Sequence, residues 1–230
     1  MQNRSMWDQS TNTWIRSSNE PKEIVRLVSR ISLLIRTFNA LVFGTLMTAS
    51  LVHADDIVPR ITVGTQEVGL TAGYLFGHRL TERHTTKQHG PALMPSWMMT
   101  LTDPIGDSWY RGQVSLGAEM VYLEFREPLL THGVGFTPRM KYTFVALGRV
   151  RPYAEFAGGP FWTDLGGRIH EEPTQLNFVL TAGVGVSWFL TPQLAFNAGY
   201  RFHHISNAGT AIPNLGLNAS LPFGGFSFYF

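Results

Sequence analysis

From residue 60 to the C-terminus the sequence repeats one pattern, a stretch of ten or more residues with at least partial alternation of apolar and polar side chains. These stretches are residues 60–77, 92–102, 110–125, 135–147, 149–162, 177–191, 194–207 and 217–230. β-Branched and aromatic residues are frequent in them, and no helical period stands out. Strands of globular proteins are commonly about five or six residues long, whereas a tilted strand that crosses a bilayer needs about 9–11. The pattern predicts an all-β fold with eight long strands.

The connections between these stretches also follow a pattern. Those after the second, fourth and sixth stretches are short, and those after the first, third, fifth and seventh are longer. Outer-membrane barrels have short periplasmic turns and longer extracellular loops, whereas a soluble barrel of the lipocalin type has no reason to alternate in this way. We therefore predict that residues 55–230 form an eight-stranded antiparallel transmembrane β-barrel of the bacterial outer membrane.

The seventh stretch indicates which face of the sheet meets the lipid. One face carries mainly apolar side chains, namely Leu194, Phe196, Ala198, Tyr200 and Phe202. The other face is more polar and carries Asn197, Gly199, Arg201 and His203. In a membrane barrel the apolar row faces lipid and the polar row faces the lumen. An eight-stranded barrel has room only for side chains inside, so we expect Arg201 and Glu155 to join an internal polar network.

The C-terminal stretch supports the same class of fold. It ends in the sequence FGGFSFYF, which places Phe226, Phe228 and Phe230 on one face. A soluble protein rarely exposes such a row on an end strand, and this argues against a secreted lipocalin-like carrier. The ending resembles the C-terminal strand signature of bacterial outer-membrane barrels.

Residues 1–54 are predicted to be an N-terminal extension with a cleaved signal peptide. Arg26, Arg30 and Arg36 precede an apolar run at residues 38–52, and Ala54 ends the segment. This run is shorter than the roughly 20 residues of a membrane-spanning helix, although an inner-membrane anchor is the alternative. We therefore expect export to the outer membrane as a multi-pass protein.

Charge and composition exclude several function classes. Only 15% of the residues are charged, against roughly 25% in ordinary soluble domains. Residues 1–54 hold 6 of the 18 basic and 3 of the 16 acidic residues, so residues 55–230 carry 12 and 13, a net charge of −1. No basic stripe indicates nucleic-acid binding. The chain has no cysteine and no compact metal-ligand spacing, so we expect no metal or other cofactor.

Two side chains of the seventh stretch are candidates for a catalytic site. His204 and Ser206 are two residues apart and continue the row that faces lipid. If both termini are periplasmic, this strand runs outward and delivers them to the outer-leaflet end. Asn218 shares the parity of Phe226 on the descending strand, so we expect it beside His204 as a cross-strand neighbour. The alternative is that these residues only form the polar collar where the strand leaves the membrane.

The surrounding residues resemble a known family. The sequence HISNAG at residues 204–209, followed by PN at 213–214 and Gly216, resembles the PagL-type lipid A 3-O-deacylases, or acyloxyacyl hydrolase-like outer-membrane barrels. The resemblance implies a serine-type ester hydrolase that removes the 3-O acyl chain of lipid A. The implied partner is lipid A, or lipopolysaccharide, in the outer leaflet of the outer membrane.

The resemblance also implies a role for each site residue. Ser206 matches the family's nucleophile and His204 its base, while Asn207 and Gly209 match the oxyanion positions. Asn218 stands where the family has a glutamate, so it can orient His204 but brings no negative charge. Glu171 and Glu172, in the preceding outer connection, are the candidate replacements for that carboxylate.

Two readings of function therefore stay open. The first is the lipid A deacylase, and the second is a non-catalytic structural or adhesion-type barrel, favoured by the asparagine at position 218. The sequence does not identify the lipid A species or the substrate-binding residues, and it leaves open a homodimer.

Overall fold

The structure, a computed structural model, describes residues 59–78 and 86–230, and the predicted signal peptide lies outside them. Eight antiparallel strands close into a barrel, each paired with its neighbours in sequence and the first paired with the last. The strands are β1 (Gln66–His78), β2 (His89–Thr100), β3 (Gly112–Phe125), β4 (Thr131–Phe144), β5 (Val150–Thr163), β6 (Leu176–Phe189), β7 (Leu194–Ser206) and β8 (Leu217–Tyr229). This confirms the predicted fold. In the described ranges, no helix has the length and apolar character needed to span a bilayer.

The predicted alternation of connection lengths is wrong at one pair. The β2–β3 connection spans residues 101–111, whereas the β3–β4 connection spans only 126–130. The β3–β4 connection is short because β4 begins four residues earlier than predicted, where Thr131, His132 and Gly133 pair with the end of β3. The β2–β3 connection is long because β2 ends two residues earlier and β3 begins two residues later than predicted. Cross-strand pairing therefore extends the sheet into a segment that had been assigned to a long loop.

The two faces of β7 are as predicted. Tyr200 and Phe202 are exposed on the outside of the barrel by 45% and 38%, whereas Arg201 and His203 inside are exposed by 1% and 0%. Large apolar side chains are exposed along the other strands as well, including Leu70, Met120, Phe136, Phe156 and Leu180. An apolar exterior around a polar interior is the arrangement that a lipid environment requires.

Ion pairs occupy the middle of the lumen. Arg201 Nη1 donates to Glu119 Oε1 at 2.6 Å, and Arg201 Nε donates to Glu155 Oε1 at 2.6 Å. Arg139 donates to the same two carboxylates, and Lys141 pairs with Glu67. Buried charges are tolerated when they are paired and hydrogen-bonded in this way. The internal network predicted for Arg201 and Glu155 is confirmed.

Candidate active site

His204 and Asn218 meet on the outer wall near the ends of β7 and β8. They are direct cross-strand partners in the register of the two strands, as predicted, and His204 Nδ1 lies 2.7 Å from Asn218 Oδ1. The amide oxygen can only accept a hydrogen bond, so the neutral imidazole carries its proton on Nδ1. This leaves Nε2 with a lone pair, which is the tautomer that a general base needs.

Ser206 ends β7 and lies on the same face of the strand as His204. It is half-buried, and its cross-strand partner on β6 is Phe178, whose ring is exposed on the outer wall. Successive side chains on one face of a strand are about 7 Å apart along the chain. The structure therefore places His204, Ser206 and Asn218 on the outer wall beside apolar side chains, and within the described ranges His204 is hydrogen-bonded to Asn218 and not to Ser206.

A tight turn follows Ser206. Thr210 N donates to Asn207 O at 3.1 Å, and the two central residues have positive φ angles, 52° at Ala208 and 79° at Gly209. Positive φ at both central positions is the mark of a type I′ turn, in which glycine is favoured because it has no Cβ. The turn sends the chain sharply away from the strand directly after the serine.

The two residues predicted as oxyanion donors shape this connection. Asn207 is fully buried; its Nδ2 donates to Pro213 O at 3.1 Å, and its Oδ1 accepts from Gly209 N at 2.9 Å. Both donor groups therefore have acceptors within the β7–β8 connection, residues 207–216. The oxyanion role of Asn207 and Gly209 stays a prediction.

Gly216 lies against the imidazole of His204. Its φ angle is +73°, and a Cβ at this position would come within 2.7 Å of His204 Cε1 and 3.3 Å of Nε2. The glycine therefore provides the space in which the ring keeps its bond to Asn218.

We expect Gly216→Ala to lower the deacylase activity predicted from the family resemblance about 10- to 100-fold, because a displacement of about 1 Å in a catalytic site has an effect of this size. The added Cβ pushes the ring away from Asn218 while the strands of the barrel still form. The measurement is the rate of deacylation of lipid A in detergent by the purified barrel. Gly148→Ala is the matched control, because Gly148 also has a positive φ, +63°, and its Cβ would meet nothing within 4 Å. Equal activity of the two variants would contradict the prediction.

Sequence reasoning missed a second polar group on the outer wall. His78 on β1 is the cross-strand partner of Asn218, and its Nε2 lies 2.5 Å from Ser220 Oγ. Ser220 Oγ also lies 2.5 Å from the Tyr200 hydroxyl. We call His78, Ser220 and Tyr200 the outer polar patch. It extends the polar surface around His204 across three neighbouring strands, and it contains a second contact between an imidazole and a serine.

The hydrogen-bond partner of His204 Nδ1 is Asn218, and both candidate replacements for the missing carboxylate lie in the β5–β6 connection. Glu171 is buried, and its carboxylate accepts hydrogen bonds from Thr86 N at 2.7 Å and Thr86 Oγ1 at 2.6 Å. Glu172 is also buried. Asn218 makes the contact with the ring.

The sequence and the structure of this chain are similar to those of known proteins. The family model described as lipid A 3-O-deacylase (PagL) matches residues 69–221. No curated relative matches the chain. Among solved structures, the outer membrane enzyme PagL is similar at 20% identity and a TM-score of 0.46, over 70% of this chain and 98% of that one. Neisserial surface protein A is similar at 18% identity and a TM-score of 0.48, over 73% of this chain and 99% of that one.

Proposed function

The chain belongs to the lipid A 3-O-deacylase (PagL) family, and on this premise we propose that it hydrolyses the ester-linked 3-O acyl chain of lipid A by serine esterase chemistry. The observation that carries the mechanism is the contact between His204 and Asn218 on the outer wall, with Ser206 next on the same row. A substrate in the outer leaflet reaches this row from the side, without entering the lumen.

The proposed reaction assigns a role to each residue of the candidate site. His204 Nε2 takes the proton of Ser206 Oγ as that oxygen attacks the ester carbonyl carbon, and Asn218 holds the ring through Nδ1. The C–O bond to the sugar then breaks, and the sugar oxygen leaves with the proton from His204. A water molecule, deprotonated by His204, then attacks the acyl-serine, and His204 returns this proton to Ser206 Oγ as the fatty acid is released. Asn207 and Gly209 are the proposed residues at the oxyanion.

The surroundings of Ser206 suit the two parts of a lipid. The outer polar patch offers hydroxyl and imidazole groups for the sugar headgroup. Phe178 on β6, Phe202 on β7 and Phe76 on β1 are exposed on the outer wall and offer apolar contacts for acyl chains. We propose that the headgroup lies against the patch and that the acyl chains run down these rings.

The neutral side chain of Asn218 leads to a specific prediction about the rate of lipid A deacylation. Asn218→Glu is expected to raise turnover about fivefold to tenfold, because a hydrogen bond to a charged group is about 1 kcal/mol stronger than a neutral one and the imidazolium forms during the reaction. The rate of lipid A deacylation measures this. Asn214→Glu is the matched control, since it adds the same charge at an exposed position of the same connection. An unchanged or lower rate in Asn218→Glu would count against Asn218 as the orienting group.

A non-catalytic structural or adhesion-type barrel is the second candidate. Two observations favour it: Asn218 brings no charge to His204, and the Asn207 amide and Gly209 N–H donate within their own connection. In that case the outer polar residues would serve only as a collar at the membrane surface.

The mass spectrum of lipid A from cells that produce the full chain separates the two candidates. The deacylase predicts a species lighter by one ester-linked acyl chain, which cells with the empty vector lack. Heat-dependent mobility of the barrel in gel electrophoresis confirms that it is folded. Unchanged lipid A in cells that hold the folded barrel would overturn the deacylase. Export through a signal peptide within residues 1–54 is part of the same proposal.

A further inference from the structure

The β2–β3 connection, residues 101–111, folds back against the outer wall of the barrel. Because β3 and β7 run in the same direction, this connection lies at the end of the barrel opposite to His204. Tyr142 faces outward on β4, and its hydroxyl donates to Tyr110 O at 2.7 Å. The Tyr142 ring also covers Gly112 so closely that a Cβ there would collide with it. The connection is therefore fastened to the wall at its junction with β3.

The β2–β3 connection and the β4–β5 turn enclose a groove on the outer wall. Its volume is about 320 Å³, at the lower end of the roughly 300–1,000 Å³ usual for small-molecule sites. In the described part of the chain, the residues that line it are all apolar: Trp109, Phe144, Ala146, Leu147 and Pro152. Phe144 and Pro152 lie on the outward rows of β4 and β5, so the groove opens toward lipid. Its chemistry suits a hydrocarbon chain.

Two exposed arginines lie close to the groove in sequence. Arg111 follows Trp109 by two residues, and Arg149 follows Leu147 by two residues. The Arg149 guanidinium lies 5.9 Å from the centroid of the exposed Trp188 ring. Within the described ranges neither arginine takes part in an ion pair, in contrast to the arginines of the lumen. Guanidinium groups bind phosphate through paired hydrogen bonds, so these two are available to a phosphate that is attached to a hydrocarbon chain.

The β2–β3 connection also carries acidic side chains. Asp103 and Asp107 are exposed, and Asp107 lies two residues before Trp109. Basic and acidic groups therefore occur together beside the groove. A zwitterionic headgroup, which has a phosphate and an ammonium group, complements both signs of charge, whereas a purely anionic headgroup complements only the arginines.

We propose that the groove binds a zwitterionic phospholipid of the periplasmic leaflet. One acyl chain lies in the groove, the phosphate contacts Arg111 and Arg149, and the ammonium group contacts Asp107. The assignment to this leaflet rests on the proposed function, because His204 then faces the outer leaflet and the groove lies at the other end of the barrel. The site gives a role to a connection that is longer than the usual periplasmic turn of such barrels.

Native mass spectrometry of the purified full-length barrel tests the site. The probes are phosphatidylethanolamine and a diacylglycerol with the same two acyl chains, each added in detergent before the barrel is released from the micelle. We expect the barrel to retain phosphatidylethanolamine roughly fivefold more than diacylglycerol, which is about the effect of one basic residue beside a lipid phosphate. Equal retention of the two lipids by wild type would overturn the proposal, and this holds even if a variant does not fold.

Variants of the groove identify the contacts. The double variant Arg111→Gln, Arg149→Gln should retain phosphatidylethanolamine no better than diacylglycerol. Arg126→Gln is the matched control, because it removes an exposed arginine at the opposite end of the barrel, and it should behave as wild type. Trp109→Ala should lower the retention of both lipids, since it removes an apolar wall of the groove. An unchanged preference in the double variant would contradict the phosphate contact.

The same spectra distinguish the other occupants. A dimer that Trp109→Ala abolishes, without a lipid adduct, would assign the groove to a second copy of the chain and overturn the lipid site. Stronger retention of phosphatidylglycerol than of phosphatidylethanolamine would overturn the zwitterionic headgroup and its contact with Asp107. Selective phospholipid binding without lipid A cleavage would remove the proposed function and leave this site intact, whereas cleavage without selective binding would do the reverse.

Discussion

Replacing Ser206 by alanine is expected to leave lipid A fully acylated while the barrel folds as in wild type. The hydroxyl is the proposed nucleophile, so the proposed acyl-serine intermediate cannot form without it. Loss of a serine nucleophile or its base lowers turnover by at least about 10³-fold in related chemistry. The mass spectrum of lipid A measures the effect in cells, with His204→Ala as the partner variant that should lose activity to a similar extent.

Covalent labelling with a fluorophosphonate identifies the nucleophile directly. An activated serine reacts, whereas an unactivated one does not. The expected site is Ser206, with the label absent in Ser206→Ala and strongly reduced in His204→Ala. Ser220 is the internal comparison, because it lies 2.5 Å from the His78 imidazole on the same wall. Labelling that persists in Ser206→Ala and is lost in Ser220→Ala would contradict the assignment and identify Ser220, in the outer polar patch, as the nucleophile.

Replacing Arg201 by methionine is expected to destabilise the barrel by about 3–5 kcal/mol, because breaking a buried ion pair leaves an uncompensated charge. Arg201 is 1% exposed and contacts both Glu119 and Glu155. With methionine in its place, Arg139 is the one remaining ion-pair partner of the two carboxylates among the described residues. Unfolding in denaturant, followed by tryptophan fluorescence in detergent micelles, measures the free energy.

The double variant Arg201→Met, Glu155→Gln tests the electrostatic cause. It restores neutrality, since Glu119 then remains paired with Arg139, and it should recover a substantial part of the lost stability. Arg126→Met is the surface control, because the Arg126–Glu124 pair is exposed and such pairs contribute about 0–1 kcal/mol. Stability of Arg201→Met within 1 kcal/mol of wild type, on the order of a surface substitution, would contradict the role assigned to this network.

Much of the candidate site follows from parity along two strands. His204 and Ser206 continue the row of Tyr200 and Phe202, and Asn218 continues the row of Phe226. Because side chains alternate strictly along a strand, the outward direction of each residue could be predicted from its position. The contact between His204 and Asn218 could be predicted as well, because β7 and β8 are antiparallel neighbours and both residues lie on the lipid-facing row next to the connection that joins the two strands.

The side-chain contacts made by the connections between strands could not be predicted from strand parity. The Asn207 side chain closes the β7–β8 connection on Pro213, and the Glu171 carboxylate of the β5–β6 connection accepts hydrogen bonds from Thr86 in the β1–β2 connection. Connections lack the two-residue period of a strand, so nothing in their sequence specifies which way each side chain points. The early start of β4 had the same origin, since pairing with β3 determined it.

The sequence by itself determined that this chain forms long strands with one apolar and one polar face. It also determined that the polar face of β7 carries Arg201 and that its lipid-facing row carries His204 and Ser206. Only the tertiary structure decided that His78 lies beside Asn218 and bonds to Ser220, 142 positions away in the chain. The physical reason is closure of the barrel: the pairing of β1 with β8 depends on the stagger of all eight strands together, whereas the alternation within a strand depends only on its own backbone.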